Sequence, residues 1–276
     1  MRRPNVRPFA FAASLFLAGF AAAPGMAGSA TPPAGDGAMC QGYGPQTPRD
    51  IRSLTGKNPV TFAMAPAASD MNLCNIHTHT NAEHAGPGFS INAGRRVQGG
   101  FLCDSTADLT AADMAHFDGD MAFGGVMPGD TIEVHWVYSS CDITPGKGLG
   151  ACLSESCANP QLRVETQVFL VVNDPTALDF RDFDYPGTAV GGQHQPSALP
   201  TGTGDPVVFL GSTTGPSYSQ SICSPLHVTW SVRPNCARLD IASLHAWAAD
   251  GNIFEEDHSH GVRKLVTLPA LLSQIN

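Results

Sequence analysis

Runs of apolar, β-branched and aromatic residues bounded by turn-forming residues predict strands along most of the chain. Five such segments stand out, at residues 73–80, 131–139, 164–173, 207–211 and 226–233. Helical periodicity is confined to residues 105–116 and 239–250, and the second segment carries Ile241, Leu244 and Trp247 at helical spacing. The pattern therefore predicts a mainly β, β-rich α+β fold with a few short helices.

Glycine and proline are abundant, with 29 and 22 residues, whereas only 14% of residues are charged. This composition is typical of a loop-rich globular protein rather than a disordered one. Residues 184–206 are especially rich in both and predict a long surface loop. Neither an internal repeat nor a domain boundary is evident, so residues 31–276 are expected to form a single catalytic domain.

The first 30 residues have the pattern of a secretory signal peptide. Arg2, Arg3 and Arg7 precede an apolar run over residues 9–23, and small residues follow up to residue 30. The alternative, an uncleaved membrane anchor, is disfavoured because the apolar run is shorter than the roughly 20 residues that span a bilayer. A periplasmic or secreted location is therefore expected.

The charge balance restricts the classes of partner. The formal net charge is −9, and removal of residues 1–30 would take away three arginines and no acid, which gives −12. A surface this acidic argues against nucleic acid and against anionic membranes as partners. The oligomeric state is not indicated.

The cysteine count is even, and all eight cysteines follow the predicted signal peptide. In an oxidising compartment this predicts up to four disulfides. Cys141 with Cys152 or Cys157 is the favoured local pair, and a reduced, buried Cys74 is the main alternative. The candidates are Cys40, Cys74, Cys103, Cys141, Cys152, Cys157, Cys223 and Cys236.

Histidines at strand spacing indicate a metal site. His77 and His79 share one face of their predicted strand, since side chains alternate with period two, and His135 follows on another strand. Three imidazoles with one open position are the catalytic arrangement for zinc, which lowers the pKa of bound water to about 7. Asn75 and Glu133 lie on the same faces and are placed to hold the outer ring nitrogens.

The remaining histidines are interpreted as surface or structural residues. They include His258 and His260, which lie in an acidic stretch. Adventitious metal binding at His258-x-His260 is a minor alternative.

Five motifs, in order, resemble the α-type carbonic anhydrases. They are Gln46-Thr-Pro-Arg-Asp-Ile51, His77-x-His79 with Glu83-His84, Glu133-x-His135-x-Val137, Gly211-Ser-Thr-Thr-Gly-Pro216 and Val228-Thr-Trp-Ser-Val232. The amino-acid sequence around Cys40 and around Cys74-Asn-Ile-His is similar to that of the δ-class carbonic anhydrases. The resemblance implies a large, mostly antiparallel twisted central sheet. It also implies a zinc-dependent lyase that hydrates CO2 reversibly to bicarbonate and a proton by zinc-bound hydroxide.

The resemblance also implies residue roles. His77, His79 and His135 match the zinc ligands, and Asn75 and Glu133 match the residues that bond the outer nitrogens of ligands. Glu83 matches an acid that holds the hydroxyl of a loop threonine, which orients the reacting oxygen. That threonine falls on Thr214 in a gap-free alignment and on Thr213 otherwise, with Thr214 preferred. Val137 and Trp230 match apolar residues that line the CO2 pocket.

Two departures from the family pattern bear on catalytic speed. The family's proton-carrying histidine lies upstream of the His-x-His strand, but no histidine precedes His77. Proton transfer therefore needs another group. The loop leucine that packs against CO2 is replaced by Thr213 or Ser212, which makes the pocket more polar.

Two other readings compete with this one. In a cupin-like oxygenase or isomerase, Glu83 would be a fourth ligand on iron or manganese. In a non-enzymatic zinc-binding module the fold would be the same without catalysis.

Overall fold

The computed structural model describes residue 40 and residues 42–94, 99–213 and 222–276. The predicted signal peptide and Thr214 lie outside the described residues. The strands are, in chain order, β1 (Asn72–Thr80), β2 (Ile91–Asn92), β3 (Phe101–Leu102), β4 (Thr131–Ser139), β5 (Leu162–Val172), β6 (Ala189–Val190), β7 (Gln193–His194), β8 (Val207–Ser212), β9 (His227–Val232) and β10 (Ala237–Asp240).

A six-stranded sheet forms the centre of the fold, with the order β1-β4-β5-β9-β8 and with β10 also paired to β5. Three of its pairings are antiparallel (β1 with β4, β4 with β5, β8 with β9), and β9 and β10 run parallel to successive halves of β5. The expected β-rich class and mostly antiparallel central sheet are confirmed. The sheet is mixed because β9 and β10 follow one another along the same edge of β5.

The five predicted strands agree with β1, β4, β5, β8 and β9 to within two residues at each end. The helical prediction for residues 239–250 corresponds to the helix α1 (Ile241–Ala249), which directly follows β10.

The prediction of a helix over residues 105–116 is wrong. Only a short 3₁₀ helix, Asp104–Asp108, forms there. Asp113 then accepts hydrogen bonds from the backbone N and the hydroxyl of Thr110, both at 2.8 Å, and such local bonds compete with helix formation. Other short 3₁₀ helices are Ala68–Asp70, Leu149–Cys152, Phe180–Phe183 and Pro269–Leu271.

Both faces of the sheet are buried, which explains why every residue of β4 is buried. Val134 and Trp136 contribute to one core together with α1, through its Leu244 and Trp247. The alternate residues of β4 face a second core that holds Trp230. Polar Glu133 and His135 share this second face with Val137, so β4 places them inside the protein.

All eight cysteines are paired. The bridges are Cys40–Cys223, Cys74–Cys152, Cys103–Cys236 and Cys141–Cys157. The prediction of four disulfides is confirmed, and the local pair is the Cys141–Cys157 alternative. The alternative of a reduced Cys74 is wrong, because Cys74 links β1 to the 3₁₀ helix that ends at Cys152.

Candidate metal centre

Three imidazoles converge where β1 and β4 pair. His77 and His135 are direct partners in the antiparallel register, and His79 lies two residues further along the same face of β1. Their ring centroids are 4.7–5.2 Å apart. One nitrogen from each ring lies within 4.8 Å of the others. The strand period and the register together therefore bring the three predicted histidines to one point.

The amide of Asn75 fixes the orientation of His77. Asn75 Oδ1 lies 2.9 Å from His77 Nδ1, and Asn75 Nδ2 donates to the carbonyl of Gly146 at 3.0 Å. The second bond leaves Oδ1 as the acceptor that faces the ring. His77 thus carries its proton on Nδ1 and presents the lone pair of Nε2 to the other two imidazoles.

Glu133 fixes the orientation of His135 and is itself fully hydrogen-bonded. Its Oε1 accepts from His135 Nε2 at 2.6 Å and from His84 Nδ1 at 2.8 Å. Its Oε2 accepts from the backbone N of Glu83 at 2.7 Å and of His84 at 3.1 Å. Burial alone would raise the pKa of Glu133, but the imidazoles of His84 and His135 outweigh it and lower the pKa. Glu133 is therefore a carboxylate, and His135 presents Nδ1 to the centre.

The donor set fits a metal ion of the zinc type. His77 Nε2 and His135 Nδ1 face each other at 3.2 Å, although each ring already donates its proton elsewhere. Burial lowers the pKa of His77 well below its usual value and that of His79 to about 4, so both imidazoles are neutral at pH 7. His79 Nδ1 is buried and has no hydrogen-bond partner among the described residues. Neutral imidazoles are good zinc ligands, but they also suit other first-row metals.

Arg263 forms a buried ion pair with the carboxylate of Glu83, a contact that the sequence did not suggest. Glu83 Oε1 accepts from Arg263 Nη2 at 3.0 Å, and Oε2 accepts from the backbone N at 3.1 Å and from Nε at 3.4 Å. Burial alone would raise the pKa of Glu83, but Arg263 and His79 hold it well below its usual value. The two residues are 180 positions apart and match no spacing rule, so no sequence signal could have paired them.

Glu83 is close to the centre but is not aimed at it as a free ligand. Its Oε2 lies 3.6 Å from His79 Nδ1, beyond hydrogen-bond distance. Glu83, His84 and His135 form a second group whose ligand atoms lie within 4.8 Å of one another. In that group, however, Glu83 is bonded to Arg263 and His84 Nδ1 to Glu133.

Segments distant in sequence support the loop after β8, which carries Thr213. Gln46 Oε1 accepts from the backbone N of Ser224 at 2.8 Å, and the hydroxyl of Thr47 donates to the carbonyl of Ser212. Thr213 is buried, and its backbone N donates to the carbonyl of Leu226 at 3.2 Å. Thr214 lies outside the described residues, so the choice between Thr213 and Thr214 stays a prediction.

A cavity of about 750 Å³ opens onto the three histidines. Trp230 and Thr213 form part of its wall, whereas Val137 is fully buried in the core outside the cavity lining. His258 and His260 also line the cavity. Their interpretation as surface or structural residues did not predict this position in the cavity wall. The sequence signal was their i, i+2 spacing in an acidic stretch, which did not reveal proximity to His79.

A β-sheet with a histidine-lined cavity defines a candidate metal-binding protein, and the comparison with known families makes the assignment specific. The model of the delta carbonic anhydrase family matches residues 68–243, which is more than half of the chain. The chain therefore belongs to the delta carbonic anhydrase family and is accordingly a carbonic anhydrase enzyme.

Comparisons with individual proteins and with solved structures give no match or only distant likenesses. No protein with a curated description matches the chain significantly. Among solved structures, the chain is similar to the α-carbonic anhydrase of Thermovibrio ammonificans in complex with sulfanilamide, with 16% identity and a TM-score of 0.28 over 80% of this chain and 84% of that one. It is also similar to the Photobacterium profundum α-carbonic anhydrase, with 16% identity and a TM-score of 0.27 over 82% of this chain and 88% of that one. At these TM-scores the likenesses carry no weight for this chain.

Proposed function

We propose that the protein is a zinc-dependent carbonic anhydrase that hydrates CO2 reversibly to bicarbonate and a proton, with His77, His79 and His135 as the zinc ligands. The observation that carries the proposal is the convergence of one nitrogen from each imidazole within 4.8 Å. Two of the three rings are already held in ligand orientation by hydrogen bonds to Asn75 and Glu133.

Zinc held by three imidazoles supplies hydroxide at neutral pH, because it lowers the pKa of water to about 7. The chain's own contribution is to hold the ligands in fixed tautomers. Asn75 keeps the proton of His77 on Nδ1, and Glu133 keeps that of His135 on Nε2. The four donors on Glu133 prevent the carboxylate from rotating away from His135.

The cavity wall next to the ligands would orient the reacting oxygen and the substrate. We assign this orientation to a threonine of the loop after β8, with Thr214 preferred over Thr213, and to Glu83 as the acid that polarises it. The contacts of Glu83 with Arg263 support this because they keep Glu83 ionised and therefore an acceptor. Trp230 offers an apolar surface to CO2 in the cavity wall. For Val137, which lies in the core, we propose an indirect role in shaping that wall.

The cupin-like alternative requires Glu83 to bind the metal. Both oxygens of Glu83 accept hydrogen bonds from Arg263, and breaking a buried Arg–Glu pair to free a ligand is costly. This argues for Glu83 as a neighbour of the ligands rather than as one of them. The non-enzymatic module is disfavoured by membership in an enzyme family.

We further propose that the chain is exported to the periplasm or secreted, with residues 1–30 as the signal peptide and 31–276 as the catalytic domain. Four disulfides support an oxidising compartment, because such bridges persist there and are rare in the cytosol. Within the described residues, no helix has the length and apolar character needed to cross a bilayer.

The test is the zinc content and CO2 hydration activity of the oxidised protein, produced by export of the full-length chain. His135→Ala should lose most of its zinc and its activity. His116→Ala is the control, because His116 is exposed and lies outside the cavity lining. Stoichiometric zinc of unchanged affinity in His135→Ala would refute the ligand assignment. A fully zinc-loaded wild-type protein without CO2 hydration would refute the function.

A further inference from the structure

Imidazole rings extend from the candidate metal centre toward the mouth of the cavity. The ring of His260 lies 6.4 Å from that of His79, and the ring of His258 lies 4.9 Å from that of His260, measured between centroids. The exposed fraction of the side chain rises along this series, from 12% at His79 through 46% at His260 to 61% at His258. His258 is therefore the ring of the series in widest contact with solvent, while it still lines the cavity.

The position of His258 is fixed by its neighbours. Its Nδ1 is hydrogen-bonded to Asp257 Oδ1 at 2.6 Å, and the backbone next to it pairs with Gly124, whose N donates to the carbonyl of Asp257 at 2.7 Å. The bond to His258 lowers the pKa of Asp257, so this partner stays a carboxylate. Because Nδ1 is engaged, Nε2 is the nitrogen left to exchange protons with water.

Within the described part of the chain, the acidic and basic groups next to His258 in the cavity lining are engaged in pairs. Lys147 and Glu255 form an ion pair at 2.7 Å between two elements of the cavity wall. Glu256 accepts from the backbone N of Thr78 at 2.7 Å and is bonded to His260 Nε2 at 3.2 Å. Lysine and carboxylate groups ordinarily titrate far from neutrality, whereas imidazole accepts and releases protons there.

We propose that His258 is the proton-transfer residue that carries protons between the cavity water and the solvent. The inference rests on the proposed function, since hydration of CO2 converts CO2 and water into bicarbonate and one proton. In that direction, cavity water transfers the proton to Nε2 of neutral His258, and the resulting imidazolium releases it to a buffer base outside. In dehydration each transfer runs in reverse, so His258 is regenerated in every cycle and the buffer is the final acceptor or donor of the proton.

The test compares His258→Ala with His116→Ala in the exported, oxidised, zinc-loaded protein. His116 is a matched control because it is also exposed, at 67%, and also lies beside a carboxylate, with Nε2 3.8 Å from Asp118. CO2 hydration is measured by stopped flow in dilute buffer and again with added imidazole. We expect His258→Ala to lower kcat by about 10-fold or more in dilute buffer. Its kcat/KM, zinc content and Tm should match those of the wild type, and imidazole should restore kcat.

Two results would overturn the assignment of His258. One is an unchanged kcat of His258→Ala in dilute buffer, or a loss that imidazole does not restore. The other is a buffer-dependent loss in His260→Ala alone, which would assign the transfer to His260. The proposed function fails separately, because its failure appears as an inactive wild-type protein before any variant is compared.

Discussion

Glu133 and His135 are two residues apart on one face of β4, and the carboxylate of the first accepts the ring N–H of the second at 2.6 Å. This bond, inside a fully buried environment, decides which nitrogen of His135 faces the other histidines. The pair therefore leaves Nδ1 of His135 as the candidate ligand atom.

Glu133→Gln should weaken zinc binding by about 10–100-fold, as is common when the outer partner of a metal-binding histidine is changed. Competition with a chelator would measure the affinity. Glu165→Gln is the matched control, since Glu165 on β5 is a buried carboxylate paired with Arg163 and Arg233 and is not among the residues that line the cavity. Equal zinc affinities in the two variants would contradict the positioning role of Glu133.

Glu83→Gln should retain zinc and slow CO2 hydration by about 10²–10³-fold, because the amide no longer acts only as an acceptor. Thr214→Ala should show the same pattern, and Thr213→Ala a milder one. Zinc analysis together with stopped-flow kinetics measures both quantities. Loss of metal from Glu83→Gln would favour the cupin-like alternative, in which Glu83 is a ligand.

Arg263→Met should lower the free energy of unfolding by about 3–5 kcal/mol, since it leaves the buried carboxylate of Glu83 without its partner. Urea unfolding of the oxidised protein measures the change. Arg233→Met should cost less, because Glu165 keeps Arg163 at 2.7 Å. The double variant Glu83→Gln/Arg263→Met should regain part of the stability but not the activity. A single Arg263→Met variant as stable as wild type would show that the pair contributes little.

The metal-free protein should lose stability as the pH falls from about 6.5 toward 4. Burial lowers the pKa of His79 to about 4 in the folded state, whereas the unfolded chain has the ordinary value of about 6.5. Below pH 6.5 the unfolded state therefore binds more protons, and the contribution of His79 is lost as the pH falls through this window, by roughly 2–3 kcal/mol. Urea unfolding at several pH values measures this, and His79→Gln should reduce the slope. An identical slope in His79→Gln would exclude His79 as the cause.

Replacing both Cys74 and Cys152 by serine should lower the free energy of unfolding by about 2–5 kcal/mol, the usual effect of removing a native disulfide from a secreted domain.

Intact-mass measurement after alkylation should find no free thiol in the oxidised wild-type protein. Eight alkylated cysteines would contradict both the bridges and the proposed export.

The sequence by itself determined the strands and the shared face of His77 and His79, because side chains alternate with period two in any strand. It also determined the family, through motifs that each lie within a few consecutive residues, and the number of disulfides, through an even cysteine count. The helix predicted at residues 105–116 failed because Thr110 and Asp113 form local hydrogen bonds that periodicity does not register.

Only the tertiary structure decided how these segments meet. The register of β1 against β4 set His77 opposite His135. The pairing of cysteines, the contact of Arg263 with Glu83 and the position of His258 at the cavity mouth all join residues from distant segments. Such contacts depend on how whole elements pack, and no local pattern encodes them. The three candidate ligand histidines could therefore be predicted from strand spacing, whereas the groups that surround them required the folded chain.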